Sequence, residues 1–335
     1  KTTLAQQGFD RVLDLSNEQF SVLYACKQNG AAPTLYRRTA QHFCFSTGTL
    51  LYRDRLGAEA MMQIYNDWTQ QRFLLEKLYG NFALIIGQPG EVRVYNDPQG
   101  IYPIWHDANY TTLSSSFLLL CEQLIKPEIN HQAVYQQIFQ EATFGGETVF
   151  KSVRRIQVAQ GCKLQTQSGR AIPDLSTAAN IQSARHPSDP HNRIDPEHQA
   201  YPGNQTEPKK KTHSQNSADP QNWVNMLHGA LAAQFRSISA CFGQQIDSAL
   251  SAGYDSRLLL ALCLEQQITP QLHVYGDDRS GDVQIAKTIC EGEHLRLAHN
   301  NKTAYPQITP GQFQHVVNAN FYAFQGSCAD GILDN

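Results

Sequence analysis

Apolar positions change their spacing several times along the chain, and each change predicts an element. Between Ala58 and Gln70, Met61, Ile64, Tyr65 and Trp68 recur at three- and four-residue intervals, which predicts a helix with one apolar face. Phe82 to Ile86 and Val92 to Tyr95 are short β-rich runs on either side of Gln88-Pro89-Gly90, the signature of a hairpin. Asn130 is a good helix cap, and Val134, Tyr135, Ile138, Phe139 and Ala142 mark one face of a helix that Gly145-Gly146 should end. Val153 to Leu164 reads as one or two strands. Most of the first forty residues carry no pattern that predicts an element.

From Pro173 to Ala218 the apolar positions almost vanish. Pro, Ser, Asn, Gln, His and Lys take over, with a short basic run at Pro208-Lys209-Lys210-Lys211. Such a segment buries too little surface to offset its ordering entropy, so it reads as a mobile linker or insertion. The chain therefore divides into 1–172, a linker 173–218, and 219–335. In the last part Asp219-Pro220 is a helix start, and Trp223, Met226, Leu227, Ala230, Leu231 and Ile238 form an apolar stripe behind it. Gln245 to Leu250 predicts a strand and the apolar run Leu258 to Leu264 a buried helix. Leu272 to Tyr275 predicts a second strand and Val283 to Cys290 a second helix. Strand, helix, strand, helix argues a parallel sheet covered by helices, with ligands at the carboxyl ends of the strands.

At that edge lies Leu250-Ser251-Ala252-Gly253-Tyr254-Asp255-Ser256-Arg257. A strand, a small-residue turn and a helix make an anion site, because the amides of the first helical turn lack internal partners. Ala252 and Gly253 let a phosphate approach the backbone, and Gly253 can take a positive φ. Ser251 and Ser256 add hydroxyl donors. Asp255 repels phosphate, so its expected use is to hold a cap or a phosphate-bridging metal ion. The segment is not a Walker loop, since no Gly-Lys-Ser/Thr follows. An ordinary strand-to-helix turn remains the competing reading.

Composition narrows the classes. The chain has 335 residues, 41% hydrophobic and 17% charged, enough for two domains with cores. A net charge of −3 supplies no field that would attract nucleic acid. The eight cysteines form no C-x-x-C pair and read as small buried hydrophobes in a reducing compartment. No run reaches membrane-spanning length and no signal-peptide pattern opens the chain, so a cytoplasmic protein is expected.

Ser251, Gly253, Asp255 and Ser256 match the Ser-Gly-Gly-x-Asp-Ser loop of the asparagine synthetase family, with Ala252 replacing the first Gly. Leu75-Glu76-Lys77-Leu78-Tyr79-Gly80-Asn81-Phe82-Ala83 resembles the Leu-x-x-Leu-x-Gly-x-Phe-Ala segment of class II glutamine amidotransferase domains. Asn96-Asp97-Pro98-Gln99-Gly100-Ile101-Tyr102-Pro103-Ile104 is similar to their Arg-Asp-x-x-Gly-x-x-Pro-Leu hairpin. Thr148 to Ile156 resembles their Thr-Ile-Phe-Lys-x-Ile-x-x-Leu. Ser280-Gly281-Asp282, Ala286 and His294 fall where the family has its Ser-x-Asp, Ala and His. The resemblance covers 45–172 and 219–300.

That resemblance implies an α/β and α+β two-domain fold: an N-terminal amidotransferase-like (Ntn-type) αββα sandwich and a C-terminal parallel-sheet domain of the adenine nucleotide α-hydrolase type. It implies ATP and Mg2+ as cofactors and formation of an acyl-adenylate on a small-molecule or peptide carboxylate. Ammonia or an amine then attacks, giving an amide. Ser251, Gly253 and Ser256 would contact phosphate, Asp255 would support the metal or a cap, backbone groups near Val274 and Gly276 would hold adenine, and Asp282 would orient the following helix. For Asp282 and His294, capping and surface placement are equally open. A homodimer is compatible with the resemblance, and neither nucleic acid nor membrane is implied as a partner.

Departures from the pattern point to a glutaminase half that does not hydrolyse glutamine. The family's N-terminal Cys is not at the start of this chain, and Cys26 reads as a core thiol. Thr47-Gly48 replaces an Asn-Gly oxyanion donor, and Glu76-Lys77 replaces an acidic pair that receives an ammonium. The Gly-rich pyrophosphate motif is also unmatched: Gly326 to Gly331 reads as an ordinary loop, and that motif is expected past Asn335. Two alternatives stand beside the ligase: a non-catalytic relative that binds a nucleotide or a partner, and an enzyme transferring sulfur or nitrogen to tRNA, which shares the loop but not the first domain.

Overall fold

The computed structural model describes residues 4, 9, 11–16, 20–26, 34–140, 142–156, 161–165, 170–174, 220–301 and 309–323. Sixteen strands and seven α-helices are found among them. The first half is built on a six-stranded antiparallel sheet. Its order across the sheet is β13 (Arg170–Asp174), β12 (Gly161–Gln165), β8 (Glu91–Asn96), β7 (Phe82–Gln88), β4 (Phe43–Gly48) and β3 (Thr34–Arg37). The expected hairpin is β7–β8, with Gln88 opposite Glu91 and Pro89-Gly90 alone in the turn.

Period-two alternation explains the layers. Cys44 of β4 and Phe82, Leu84 and Ile86 of β7 face helix α1 (Gly57–Thr69), whose Met61, Ile64 and Tyr65 are buried as their spacing predicts. Phe43, Phe45 and Val92 face the other way, packing with Phe20, Val22 and Tyr24 of the segment that carries hairpin β1 (Arg11–Asp14) and β2 (Leu23–Cys26). Ala83 and Val94 pack with Ile104 and Ile156, which flank the small sheet β10 (Leu113–Ser114), β9 (Trp105–Asp107) and β11 (Val153–Arg155). The central strand β7 is therefore apolar from Phe82 to Ile86, because both of its faces are covered. Each such buried side chain contributes about 1.5–3 kcal/mol of transfer free energy.

Val153 to Leu164 forms two strands, within the one or two expected, in two different sheets, and a further strand, β13, pairs beside β12 and runs through Asp174. Helix α3 (His131–Gln140) is capped by Asn130, whose Oδ1 accepts from the Ala133 amide at 3.3 Å. It ends at Gln140, before Gly145-Gly146, and its predicted apolar face is exposed at Tyr135, Ile138 and Phe139. The short helix α2 (Phe117–Cys121) and the two-stranded ribbon β5 (Leu51–Tyr52) and β6 (Leu78–Tyr79) complete this half. The remainder of the 173–218 linker, Asp219 and the Gly326–Gly331 loop lie outside the described residues.

The second half holds a three-stranded parallel sheet, β14 (Asp247–Ala249), β15 (Gln271–Tyr275) and β16 (Leu297–Asn300), in sequence order. Helix α4 (Pro220–Phe242) leads into it, with Pro220 at its first position. Helices α5 (Tyr254–Glu265) and α6 (Gly281–Gly292) make the crossovers, and α7 (Pro310–Ala323) follows β16. Leu272 and Val274 of β15 point into a core with Leu250, Leu260, Val283, Ala286 and Cys290, whereas Gln271 and Tyr275 are exposed. Helix α5 is not buried all round: Leu260, Leu262 and Cys263 are buried, but Leu258 and Leu259 are exposed. On α4, Trp223, Met226 and Leu227 are likewise exposed. Among the described residues no helix is long and apolar enough to cross a membrane.

Of the described cysteines, Cys44, Cys263 and Cys290 are buried as expected, whereas Cys121 and Cys241 are half-buried. Cys44, Cys121, Cys241, Cys263 and Cys290 are free thiols. Burial raises the pKa of each of them, which favours the protonated thiol.

Candidate nucleotide site

The carboxyl edge of the parallel sheet is open. Leu250 is buried at the end of β14, but Gly253, Tyr254 and Asp255 are exposed, and nothing described covers them. The turn is held by its own serines. The Ser251 amide donates to Ser256 Oγ at 3.1 Å, the two hydroxyls lie 3.0 Å apart, and the Gly253 amide donates to Ser251 Oγ at 3.1 Å. Ser251, Gly253 and Ser256 thus come together as the sequence suggests, and they stiffen the loop.

Gly253 does so without using the positive φ open to a glycine. Its φ is −67° and ψ 150°, ordinary extended backbone at the helix cap. A Cβ there would meet Ser251 Oγ at 3.2 Å, a tight contact that the hydroxyl would have to yield to. The glycine that does require a positive φ is Gly276, at +135°, where the chain leaves β15 and a Cβ would crowd Val283 and Ser280.

Asp255 sits exposed in the first turn of α5, where its charge favours the helix dipole. No described residue accepts from the amides of Tyr254 or Asp255, so these point outward as donors. Arg257 adds positive charge, donating through Nε to the Gly253 carbonyl at 3.2 Å while its guanidinium lies 4.6 Å from the centre of the Tyr254 ring.

Asp282 does something the sequence did not foretell. Its Oδ1 accepts from the Ala252 amide at 2.8 Å, linking the start of α6 to the loop. A carboxylate thus occupies one of the donors a phosphate would use. A phosphate can reach Ala252 only if Asp282 swings away or a cation bridges the two. His294 lies at the far end of α6, exposed, with φ 57°, outside this site.

Val274 and Gly276 sit where an adenine-binding strand end is expected, and their surroundings are occupied. Val274 is a buried core residue in the middle strand. The Gly276 amide donates to the Asn300 carbonyl at 3.1 Å, and its own carbonyl lies 2.9 Å from His299 Nε2. His299 was missed by sequence reasoning, as was the cluster beside it. Lys287 Nζ donates to Asp278 Oδ1 at 2.7 Å, and His299 Nδ1 lies 3.6 Å from the same oxygen. The lysine holds the Asp278 carboxyl below its ordinary pKa. Residues 278, 287 and 299 come from three elements, so only their spacing in three dimensions reveals the cluster.

Metal ligation is limited. Among the described residues no group of three His, Cys, Asp or Glu side chains could hold an ion. A magnesium ion here would bind Asp255, alone or with the Asp282 carboxylate, and complete its shell with phosphate oxygens and water, as Mg2+ commonly does.

In the first half, Thr47 Oγ1 is engaged with the Tyr102 hydroxyl at 2.8 Å, and Gly48, at φ +84°, passes so close to the Asn81 carbonyl that a Cβ would overlap it. Asp97 is fully buried and organises the next loop, accepting from the amides of Gln99, Ile101 and Tyr102 at 3.1, 3.0 and 2.6 Å. The Asp-x-x-Gly segment is thus a self-capped turn. Lys77 is exposed at the end of a 3-10 turn, and the side chains of Cys26 and Glu76 lie outside the described residues. No protein-family model matches the chain, and no curated protein matches it.

Proposed function

We propose that the chain is an ATP-dependent ligase of asparagine-synthetase type, which activates a carboxylate as an acyl-adenylate and transfers nitrogen to it. One observation carries the reading. The Ser251–Ser256 loop joins the first parallel strand to a twelve-residue helix at an exposed carboxyl edge, with outward amides at Tyr254 and Asp255 and the Arg257 cation beside them. Donors placed in that way stabilise negative charge as it develops on a departing pyrophosphate. The substrate carboxylate would attack the α-phosphate, pyrophosphate would leave with magnesium, and ammonia or an amine would displace AMP. In the first half, the Thr47 hydroxyl and the Lys77 cation support a domain that does not hydrolyse glutamine, since neither offers the amide donor or the negative charge that this chemistry needs.

Two measurements test this. Titration calorimetry with ATP and Mg2+ should show binding that weakens about tenfold, or about 1.4 kcal/mol, in Asp255→Ala. Pyrophosphate release should depend on a carboxylate and on ammonia, with no glutamate formed from glutamine. Absence of ATP binding by the intact chain overturns the reading.

The Asp282–Ala252 hydrogen bond favours a second reading, a non-catalytic relative that binds a nucleotide without turning it over. ATP binding without pyrophosphate release, for every carboxylate offered, would select it. A tRNA-modifying enzyme has no observation in its favour.

A further inference from the structure

The ribbon β5–β6 packs against helix α4, and an open cleft of ≈ 500 Å³ lies along the contact. Its walls bring together three cationic side chains: Arg53 and Lys77 from the first half, and Arg236 from α4. Among the described residues, Asp54 is the single acidic one in the lining. No described carboxylate lies within ion-pair distance of Lys77 or Arg236, whereas Arg53 is shared with Asp67 at 3.1 Å. Cations crowded into one cleft repel one another, and an anion relieves that repulsion.

A second observation is independent of charge. Ser237 lines the same cleft, is 5% exposed, and its buried hydroxyl has no hydrogen-bond partner. A serine in a helix ordinarily satisfies its hydroxyl by donating to the carbonyl one turn back. A buried hydroxyl left without a partner costs free energy that a bound acceptor recovers. Arg53 and Asp54 form the two-residue turn between Tyr52 and Arg55, both left-handed at φ 48° and 59°, which places Arg53 beside the cleft.

We infer that this cleft is an anion site for a phosphoryl group carried on a small organic molecule. Three cations and a hydroxyl donor suit a group with several terminal oxygens and about two negative charges, and guanidinium forks match phosphate geometry. The volume exceeds that of inorganic phosphate and falls in the range of small-ligand sites. Ala233 and Ala240 stand one turn to either side of the Arg236–Ser237 pair on α4, leaving space and apolar surface for the remainder of the molecule. Because its ligands come from both halves, the occupied site clamps α4 to the ribbon. α4 runs on to β14 and so to the Ser251 turn, which makes the cleft suited to an effector that sets how the two halves are held. The inference stands apart from the ligase reading, since it uses no residue of the nucleotide loop.

Titration calorimetry on the full chain, with pyrophosphate as the probe and citrate as the carboxylate comparison, tests it. Pyrophosphate should bind and raise the melting temperature. Lys77→Gln with Arg236→Gln should weaken binding about tenfold or more, since both are charge-assisted donors. Both residues are exposed, and circular dichroism should report an unchanged fold. Ser237→Val, which keeps the volume and removes the hydroxyl, should weaken binding less, by about threefold to tenfold. Ser251→Ala with Ser256→Ala should leave a binding event of wild-type affinity. Absence of binding, loss of all binding with the loop double substitution, an unchanged affinity in the Lys77–Arg236 pair, or tighter binding of citrate than of pyrophosphate would each overturn the assignment.

Discussion

The two halves solve the problem of covering a sheet differently. In the antiparallel half, β7 is covered on both faces, and aromatic side chains fill the spaces: Trp68 and Phe73 stack edge-on at 5.7 Å, and Phe20 and Phe43 at 5.9 Å. In the parallel half a single core of small aliphatic residues lies on one side of three strands, while Leu258, Leu259, Trp223, Met226 and Leu227 stay exposed. A sheet saturated with apolar contacts is a scaffold. A sheet whose strand ends stay open, with loops tied by serine hydroxyls, has backbone donors left for a ligand. The chemistry proposed for this chain sits in the half with the smaller core.

The comparison breaks if both halves respond alike to loss of core. Phe82→Ala removes a fully buried ring between β7 and α1 and should cost about 3–5 kcal/mol. Leu250→Ala removes a buried side chain just before the Ser251 turn and should cost about 2–3 kcal/mol, toward the lower end for such changes, because its core is smaller and its neighbours can relax. Calorimetry should show each change lowering a different part of the unfolding profile. One shared transition moved equally by both would mean that the halves form one cooperative unit.

Asp67→Ala sharpens the same contrast. Asp67 is buried on α1, accepts from Tyr52 Oη at 2.9 Å and Gln63 Nε2 at 3.1 Å, and lies 3.1 Å from Arg53. Removing it strands a buried phenol and should cost about 2–3 kcal/mol in urea unfolding. Arg53 also lines the cleft, so the change frees a cation there, and pyrophosphate affinity should rise rather than fall.

A smaller effect is expected from pH. His106 is buried, stacked on Tyr110 with ring centres 3.8 Å apart, and burial lowers its pKa below the ordinary 6.5. It is neutral in the fold and takes up its proton more readily unfolded. Its contribution is therefore present above pH 6.5 and declines as pH falls from there toward the folded pKa. The urea midpoint should drop on acidification below pH 6.5, and His106→Gln should flatten that slope by at most one proton. The smallest effect belongs to Leu258→Gln on the exposed side of α5, which should change stability by about 0.5 kcal/mol or less. A large loss would mean that this face is packed in solution.

Much of the fold was legible because it is local. The helical spacing of Met61, Ile64 and Tyr65, the Pro89-Gly90 turn, the Asn130 cap and the order strand, helix, strand, helix after Ser251 all act within one element or between neighbours. The serine-rich turn was found for the same reason, since Ser251 and Ser256 stand five residues apart across the strand-to-helix turn and meet through local geometry. Where local signals are weak, as at β1, β2 and β3, strand formation depends on partners elsewhere in the chain, and the sequence was silent.

The amino-acid order by itself settled that a strand must end in a small-residue turn that opens a helix at Gly253, because backbone sterics and helix-end hydrogen bonding depend only on neighbouring residues. Tertiary structure alone decided that Asp282 reaches the Ala252 amide, that His299 and Lys287 converge on Asp278, and that Arg236 and Lys77 line one cleft. Each of these pairings joins residues from separate elements. Their distance is set by how helices and sheets pack, and packing sums many weak contacts that no short stretch of sequence contains.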